Sequence, residues 1–249
     1  MNELDPAASV LTRYQGGKNG AGVYQKIINC IPAHTHYVEP FAGSAAIYRR
    51  KSPAVTSFLV EINRQIAHQL SATLSPCATV INGDGLDYID ERIDHELNGW
   101  FFYIDPPYLH STRKDAELYG DWELNDQDHL RLVKYLLPGL TRAGAQWALS
   151  GYRSAMYDEA GLAHGWQRLD YQARTRQATV TESLWTNYDP AGILPSDLTY
   201  AGANFRDRER MKRKAARWIA RLALMPPIER AFLRAALAST DTTSDAGPQ

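Results

Sequence analysis

The segment Asp105-Pro106-Pro107-Tyr108, directly behind the apolar run WFFYI, carries the clearest chemistry in this sequence. Two consecutive prolines lack backbone donors and have a fixed φ, so they stiffen the chain where a strand must stop. A carboxylate and a carbonyl held at such a stop can each accept one N–H of an exocyclic amino group on a nucleobase. That amine is a poor nucleophile because its lone pair is delocalised into the ring. Two acceptors draw the nitrogen toward tetrahedral geometry and aim the lone pair at an electrophile. Asp105 and the Pro106 carbonyl are the candidate acceptors, stiffened by Pro107, and the Tyr108 ring offers a stacking platform worth roughly 1–3 kcal/mol per base. A base inside a duplex reaches such a site only when flipped out.

Three other places could hold a cofactor. In EPFAGSAA, Glu39 to Ala46, Gly43 and the small residues after it permit a tight turn and a close ligand approach beside Phe41, with the N-terminus of a following helix facing the crevice. Glu61 closes SFLVE, where an ionised acid can accept from two ribose hydroxyls. Asp84 closes INGD, where it can accept from an adenine amino group, although an Asp between Gly83 and Gly85 equally suits a plain turn. GGKNG, ending at Gly20, looks like half of a phosphate loop. Asn19 stands where the GxxxxGK[ST] pattern needs Ser or Thr, which argues against a nucleotide triphosphatase. None of the seven histidines shows HExxH or zinc-ligand spacing, so no metal is expected.

The elements that must position these residues read as an α/β chain. Strands are expected at 36–41, 56–63, 78–84, 100–107, 146–152, 167–172 and 182–188. Helices fit 44–50, 63–74, 125–137 and 154–160, and QARTRQATVT (172–181) reads as a hairpin. Several strands end in an acid or a glycine, and open α/β sheets bind ligands beyond those ends. The α/β domain is expected over 10–189, followed by a linker over 190–203, a basic helical segment over 204–238 and a disordered tail over 239–249. In the basic segment, Met211, Ala215, Trp218, Ile219 and Leu222 form one apolar stripe. Arg210, Arg213, Lys214, Arg217 and Arg221 occupy the other face. Pro226 and Pro227 break this helix before a shorter one over 228–237.

Composition sets the class. The 249 residues are 44% hydrophobic and 22% charged, as in soluble globular chains rather than disordered or fibrous ones. No apolar run approaches the roughly 18 residues of a membrane span, and the acidic start has no signal-peptide pattern, so a cytoplasmic location away from membranes is expected. Cys30 and Cys77 are too few for a disulfide framework and read as buried thiols. The net charge of −1 rules out a uniformly basic coat, yet eight basic residues face two acidic ones between Asn204 and Arg221. Such a local excess is a candidate electrostatic footprint for nucleic acid.

Taken together, these motifs resemble those of the Dam-like N6-adenine DNA methyltransferases of the DPPY type, which use S-adenosylmethionine. The resemblance runs from Tyr14 to Tyr188, with its features in the family's order. YQGGK (14–18) looks like the aromatic-x-Gly-Gly-Lys motif whose aromatic and lysine contact the cofactor, and FAGSA looks like the FxGxG loop. Glu61 matches the acid of the second strand, DPPY the catalytic tetrapeptide, and ESLWTNY (182–188) a segment near the target-base pocket. Ala45 replaces the second glycine, and Glu61 stands where Asp is commoner.

The resemblance implies a class I, Rossmann-like, doubly wound sheet of seven strands, mostly parallel with one antiparallel, carrying a helical C-terminal appendage. It implies S-adenosylmethionine as cofactor, held by Tyr14, Lys18, Phe41, Gly43, Glu61, Asp84 and Asp105. The implied reaction is methyl transfer to N6 of a flipped adenine in double-stranded DNA, without a metal or a covalent enzyme intermediate. Larger relatives insert a target-recognition domain between the third-strand and catalytic motifs, but only 20 residues separate Asp84 from Asp105 here. Recognition is therefore expected from Arg113 and Lys114, from Arg174 and Arg176, or from Arg210, Arg213, Lys214 and Arg217. The basic helix could equally dock on the core or form a homodimer contact through Trp218. By analogy, a small enzyme of this kind suggests a solitary or phage-borne methyltransferase, with or without a restriction partner. Methylation of RNA adenine or of cytosine N4 stays open, as does a DNA-binding module with a vestigial methyltransferase core.

Overall fold

A computed structural model of the chain describes residues 18, 20, 22–112, 122–174, 179–202 and 204–243. It divides into two units, residues 1–200 and 201–249. Tyr14, Arg113, Lys114 and Arg176 lie outside the described residues, and of Arg174 only the backbone is described.

The first unit is built on a seven-stranded sheet in the order β3-β2-β1-β4-β5-β7-β6. The strands are β1 (His36–Glu39), β2 (Thr56–Glu61), β3 (Thr79–Asn82), β4 (Trp100–Ile104), β5 (Gln146–Gly151), β6 (Gln167–Arg174) and β7 (Thr179–Thr186). All pairings are parallel except those of β7, which runs antiparallel to β5 and β6. This is the class I Rossmann-like architecture expected from the sequence. β6 and β7 pair from Gln167↔Thr186 to Arg174↔Thr179, which makes the expected hairpin.

The helices are α1 (Val23–Ile28), α2 (Arg64–Leu74), α3 (Gly85–Asp90), α4 (Asp126–Arg131), α5 (Leu137–Arg142) and α6 (Ala155–His164). Alternation along the strands sorts the core onto the two sheet faces. Val38, Val60, Phe102, Ile104, Trp147 and Trp185 pack with Leu86, Leu132, Val133 and Tyr157. Tyr37, Phe101, Tyr103 and Ala148 pack with Val23, Ile27 and Ile28 of α1. The helix expected over 125–137 is interrupted by a π turn at Leu132–Leu136, which leads into α5. Pro138 supplies the reason: it has no N–H and its ring crowds the carbonyl four residues back, so the ladder widens by one residue.

The sequence reading requires correction at several points. Residues 44–50 form successive turns and no helix. Gly43 at φ 49° and Ala45 at φ 52° both lie in the left-handed region, which a right-handed helix cannot propagate through. Helices α1 and α3 are short and were not anticipated. Of the two cysteines, only Cys30 is buried, whereas Cys77 is exposed. Much of the expected linker packs on the first unit: Ser196 N–H donates to Ile31 O, Asn29 Nδ2 donates to Tyr200 O, and Tyr200 meets Tyr24 edge-on at 5.3 Å.

The second unit contains α7 (Phe205–Leu224) and α8 (Pro227–Thr243). Asn204 caps α7 by accepting the Asp207 N–H, and Met225 ends it before the two prolines. Helix α8 extends six residues past Leu237 and through the first part of the expected tail. Among the described residues, no helix is long and apolar enough to cross a membrane.

Candidate active site

Parallel strands bring their carboxyl ends to one edge of the sheet, and the acids that close β1, β2 and β4 meet there. A cavity of about 290 Å³ opens at this edge. Glu39, Phe41, Gly43, Ser44, Glu61 and Asp84 line it, together with Lys18, Asp105, Pro107 and Trp122. The structure therefore brings together all the described residues expected to hold a cofactor.

Backbone turns decide how the walls are made. The Gly43 N–H donates to Glu61 Oε2 at 2.8 Å, and the Asn63 N–H donates to Glu61 Oε1 at 2.9 Å. Each carboxylate oxygen of Glu61 thus keeps one lone pair for a hydroxyl in the cavity. Burial pushes Glu61 up, while the two backbone N–H groups oppose that shift. Asp84 caps α3 through Oδ1, which accepts the N–H groups of Leu86 and Asp87. Asp84 thus serves the turn and the helix cap, and it also borders the cavity. Gly85 passes so close to the Pro40 carbonyl that a side-chain carbon there would overlap it. The loops after β1 and β3 are thereby locked together.

Asp105 leaves β4 and faces Lys18, with Nζ–Oδ1 at 2.8 Å. Lys18 Nζ also donates to the Tyr108 hydroxyl at 2.6 Å. Tyr108 in turn donates to Glu182 Oε2 at 3.1 Å, and Tyr171 donates to the same oxygen at 3.0 Å. Tyr152 meets the Tyr108 ring edge-on, 4.8 Å between centroids. The Tyr108 side chain is therefore braced on several sides, and its hydroxyl is committed to protein partners. The sequence reading assigned Tyr108 a stacking role through its ring alone, so the hydroxyl's part in the site was missed.

Burial pushes Asp105 up, and the Lys18 ammonium pulls it back. Glu39 is pushed up to about 7, chiefly by burial, against hydrogen bonds from the Tyr37 hydroxyl and the Tyr48 N–H. The phenol of Tyr108 is held well above its ordinary value by burial and by the Asp105 and Glu182 carboxylates.

Glu39, Ser44, Tyr171 and Glu182 are the site residues that the sequence reading did not assign. Glu39 and Ser44 sit inside the glycine-turn motif and were within reach of it. Glu182 opens the ESLWTNY segment matched to the target-base pocket but was given no role, and its pairing with Tyr171 in the register of β6 and β7 is one that no local pattern encodes. The basic residues Arg210, Arg213, Lys214 and Arg217 lie on α7 in the second unit, all exposed.

No family model matches the chain, and no curated protein does. Solved structures of similar shape include the B. subtilis m1A22 tRNA methyltransferase TrmK, at 14% identity and TM-score 0.42, over 91% of this chain and 88% of that one. A candidate methylase, HI0767 from Haemophilus influenzae, matches at 17% identity and TM-score 0.40, over 66% of this chain and 85% of that one. The precorrin 8w decarboxylase of Methanobacterium thermoautotrophicum matches at 10% identity and TM-score 0.41, over 65% and 87%.

Proposed function

We propose that this chain is an S-adenosylmethionine-dependent methyltransferase acting on N6 of a flipped adenine in DNA. The observation that carries the reading is the placement of Asp105-Pro106-Pro107-Tyr108 at the end of β4, with Asp105 and Pro107 lining the same cavity as Glu61, Gly43 and Asp84.

The lining suits that cofactor. Glu39, Glu61, Asp84 and Asp105 face Lys18 as the one lining cation among the described residues, which favours a ligand carrying a cationic centre and hydroxyl donors. Ser44 is buried, and its Oγ has no hydrogen-bond partner among the described residues, so a polar group is available to a ligand. Glu61 would hold the ribose, Asp84 the adenine amine, and Lys18, Phe41 and Gly43 would complete the cradle. S-adenosylmethionine supplies an electrophilic methyl group on a sulfonium that departs as a neutral thioether.

This chain's own contribution is positioning and charge. Asp105 and the Pro106 carbonyl accept the two N–H groups of the target amine and orient its lone pair. As the nitrogen forms its new bond it sheds one proton, and Asp105, raised by burial, is suited to receive it. Tyr108 is proposed to stack the base, although its side chain is buried and does not line the cavity. Arg113, Lys114, Arg174 and Arg176 are proposed as DNA contacts, and the α7 residues Arg210, Arg213, Lys214 and Arg217 as a second basic surface.

The test has two stages. Purified protein is first titrated with S-adenosylhomocysteine by calorimetry, which asks whether the cavity holds the cofactor. It is then incubated with S-adenosylmethionine and unmethylated genomic DNA, and modified bases are mapped by single-molecule sequencing. N6-methyladenine within one short motif is expected. Cofactor binding with methylation of RNA or of cytosine alone would replace the substrate assigned here, and absence of cofactor binding would overturn the reading.

A further inference from the structure

Glu182 stands on β7, the one antiparallel strand, and is only 8% exposed. Its Oε2 accepts the hydroxyl protons of Tyr108 and Tyr171 and lies 3.7 Å from Lys18 Nζ. Lys18 therefore has among its anionic or polar neighbours Tyr108 at 2.6 Å, Asp105 at 2.8 Å and Glu182 at 3.7 Å. An ammonium buried against a single carboxylate closes into one neutral, charge-assisted pair. Such a pair would leave Asp105 a weak acceptor for a substrate amine. A second carboxylate at the same ammonium changes that balance.

We propose that Glu182 is a positioning residue for Asp105: it shares the Lys18 ammonium and holds the Tyr108 hydroxyl, so that Asp105 is less neutralised by Lys18 and keeps acceptor strength toward the substrate amine. The inference rests on reading Asp105 as the amine acceptor. Its geometric basis is that Glu182 Oε2 lies 3.7 Å from Lys18 Nζ, held there by the Tyr108 and Tyr171 hydroxyls. The groups that bear on Asp105 are Lys18, Tyr108, Glu182 and Tyr171, together with Glu39 and Tyr37 from β1 and Tyr103 from β4. Among these, Lys18 is the sole cation. The Glu182 charge raises the proton affinity of Asp105, whereas Lys18 lowers it.

The decisive variant is Glu182→Gln in the full chain. Its amide oxygen still accepts from Tyr108 and Tyr171, while the charge is gone. The Asp105 carboxyl is titrated by carbon NMR, assigned by comparison with Asp105→Asn. Asp105 should titrate at lower pH in Glu182→Gln than in the wild type. On DNA, kcat should fall roughly 10- to 100-fold, with S-adenosylhomocysteine affinity retained within about twofold. Glu182→Asp keeps the charge one methylene further back and should fall between the two proteins in both readouts. If Glu182→Gln folds poorly, Glu182→Asp against the wild type carries the same comparison.

An Asp105 titration that is unmoved or raised would overturn the proposal, and so would a loss of cofactor affinity equal to the loss of turnover. A wild type that binds cofactor yet methylates no adenine, with the Asp105 shift intact, would instead refute the substrate assignment and leave the Glu182–Asp105 coupling standing.

Discussion

Two glycines flank Asp84, and the structure assigns them opposite tolerances. A Cβ at Gly85 would overlap the Pro40 carbonyl oxygen and lie 2.9 Å from the Pro40 carbonyl carbon and 3.0 Å from Phe41 Cε1. Non-bonded carbon atoms prefer about 3.5–4.0 Å, so the loop after β1 must move by about 1 Å to admit Gly85→Ala. Overpacking of this kind costs about 1–3 kcal/mol. For a chain of this length that corresponds to a melting temperature lower by roughly 2–4 °C per kcal/mol. The same loop carries the Gly43 N–H that braces Glu61, so S-adenosylhomocysteine affinity should fall by about tenfold for every 1.4 kcal/mol of that displacement paid in the complex. A Cβ at Gly83 would meet only the side chains of Ile81 and Val60, at 3.8 and 3.9 Å, which is ordinary contact. Gly83→Ala is therefore the control, expected to be neutral or slightly stabilising because it restricts the unfolded chain. Thermal unfolding and calorimetric titration of both variants make the comparison. A Gly85→Ala protein with wild-type melting and cofactor affinity would refute the close packing of the two loops, and equal damage from both substitutions would refute the local steric cause.

Other substitutions probe the chemistry. Asp105→Ala should lower methylation by about two to four orders of magnitude while circular dichroism shows the fold intact, because Lys18 retains Tyr108 and Glu182; near-normal turnover would rule out the assigned role. Tyr108→Ala should lose more activity than Tyr108→Phe, since the ring and its packing go as well. Tyr108→Phe should still cost about 1–3 kcal/mol in unfolding free energy, because it strips one partner each from the buried Lys18 and Glu182; a Phe variant as stable as the wild type would contradict the hydroxyl network. Glu39 is raised from an ordinary 4.5 to about 7. Between those values the folded state binds more protons than the unfolded one, so the Glu39 contribution to stability falls as pH rises through that window. His34, lowered to about 4 mainly by burial, acts oppositely and removes stability as pH falls from 6.5. The difference between wild type and Glu39→Gln isolates the first effect: the variant should gain stability relative to wild type from pH 5 to pH 8, as read by denaturant titration, and a constant difference would refute the raised carboxyl.

The strands and the acids that close them were legible in the sequence because both signals are local. β-branched and aromatic runs such as TSFLVE and WFFYI mark strands by composition, and an acid or a Pro-Pro step marks where each one ends. Parallel pairing then carries Glu39, Glu61 and Asp105 to one edge of the sheet without further information, so the place of these acids could be read before the fold was seen. Local patterns misled where a backbone conformation overrode composition. Ser44 to Arg50 has helical composition, yet Ala45 at φ 52° forces turns. Pro138 converts one expected helix into two joined by a π turn.

Tertiary structure alone decided what surrounds Asp105. Lys18 and Asp105 are far apart in the chain, and Glu182 lies 74 residues beyond Tyr108, so their meeting depends on the order of strands in the sheet and on the register of β7 against β6. The ionisation of Asp105 follows from that meeting, because burial and the opposed charges of Lys18 and Glu182 act only over a few ångströms in a poorly solvated site. The sequence by itself thus determined which acids follow the strands and at which edge of the sheet they stand. The three-dimensional packing determined how Asp105 is charged and braced, since electrostatic coupling depends on distance in space and not on position along the chain.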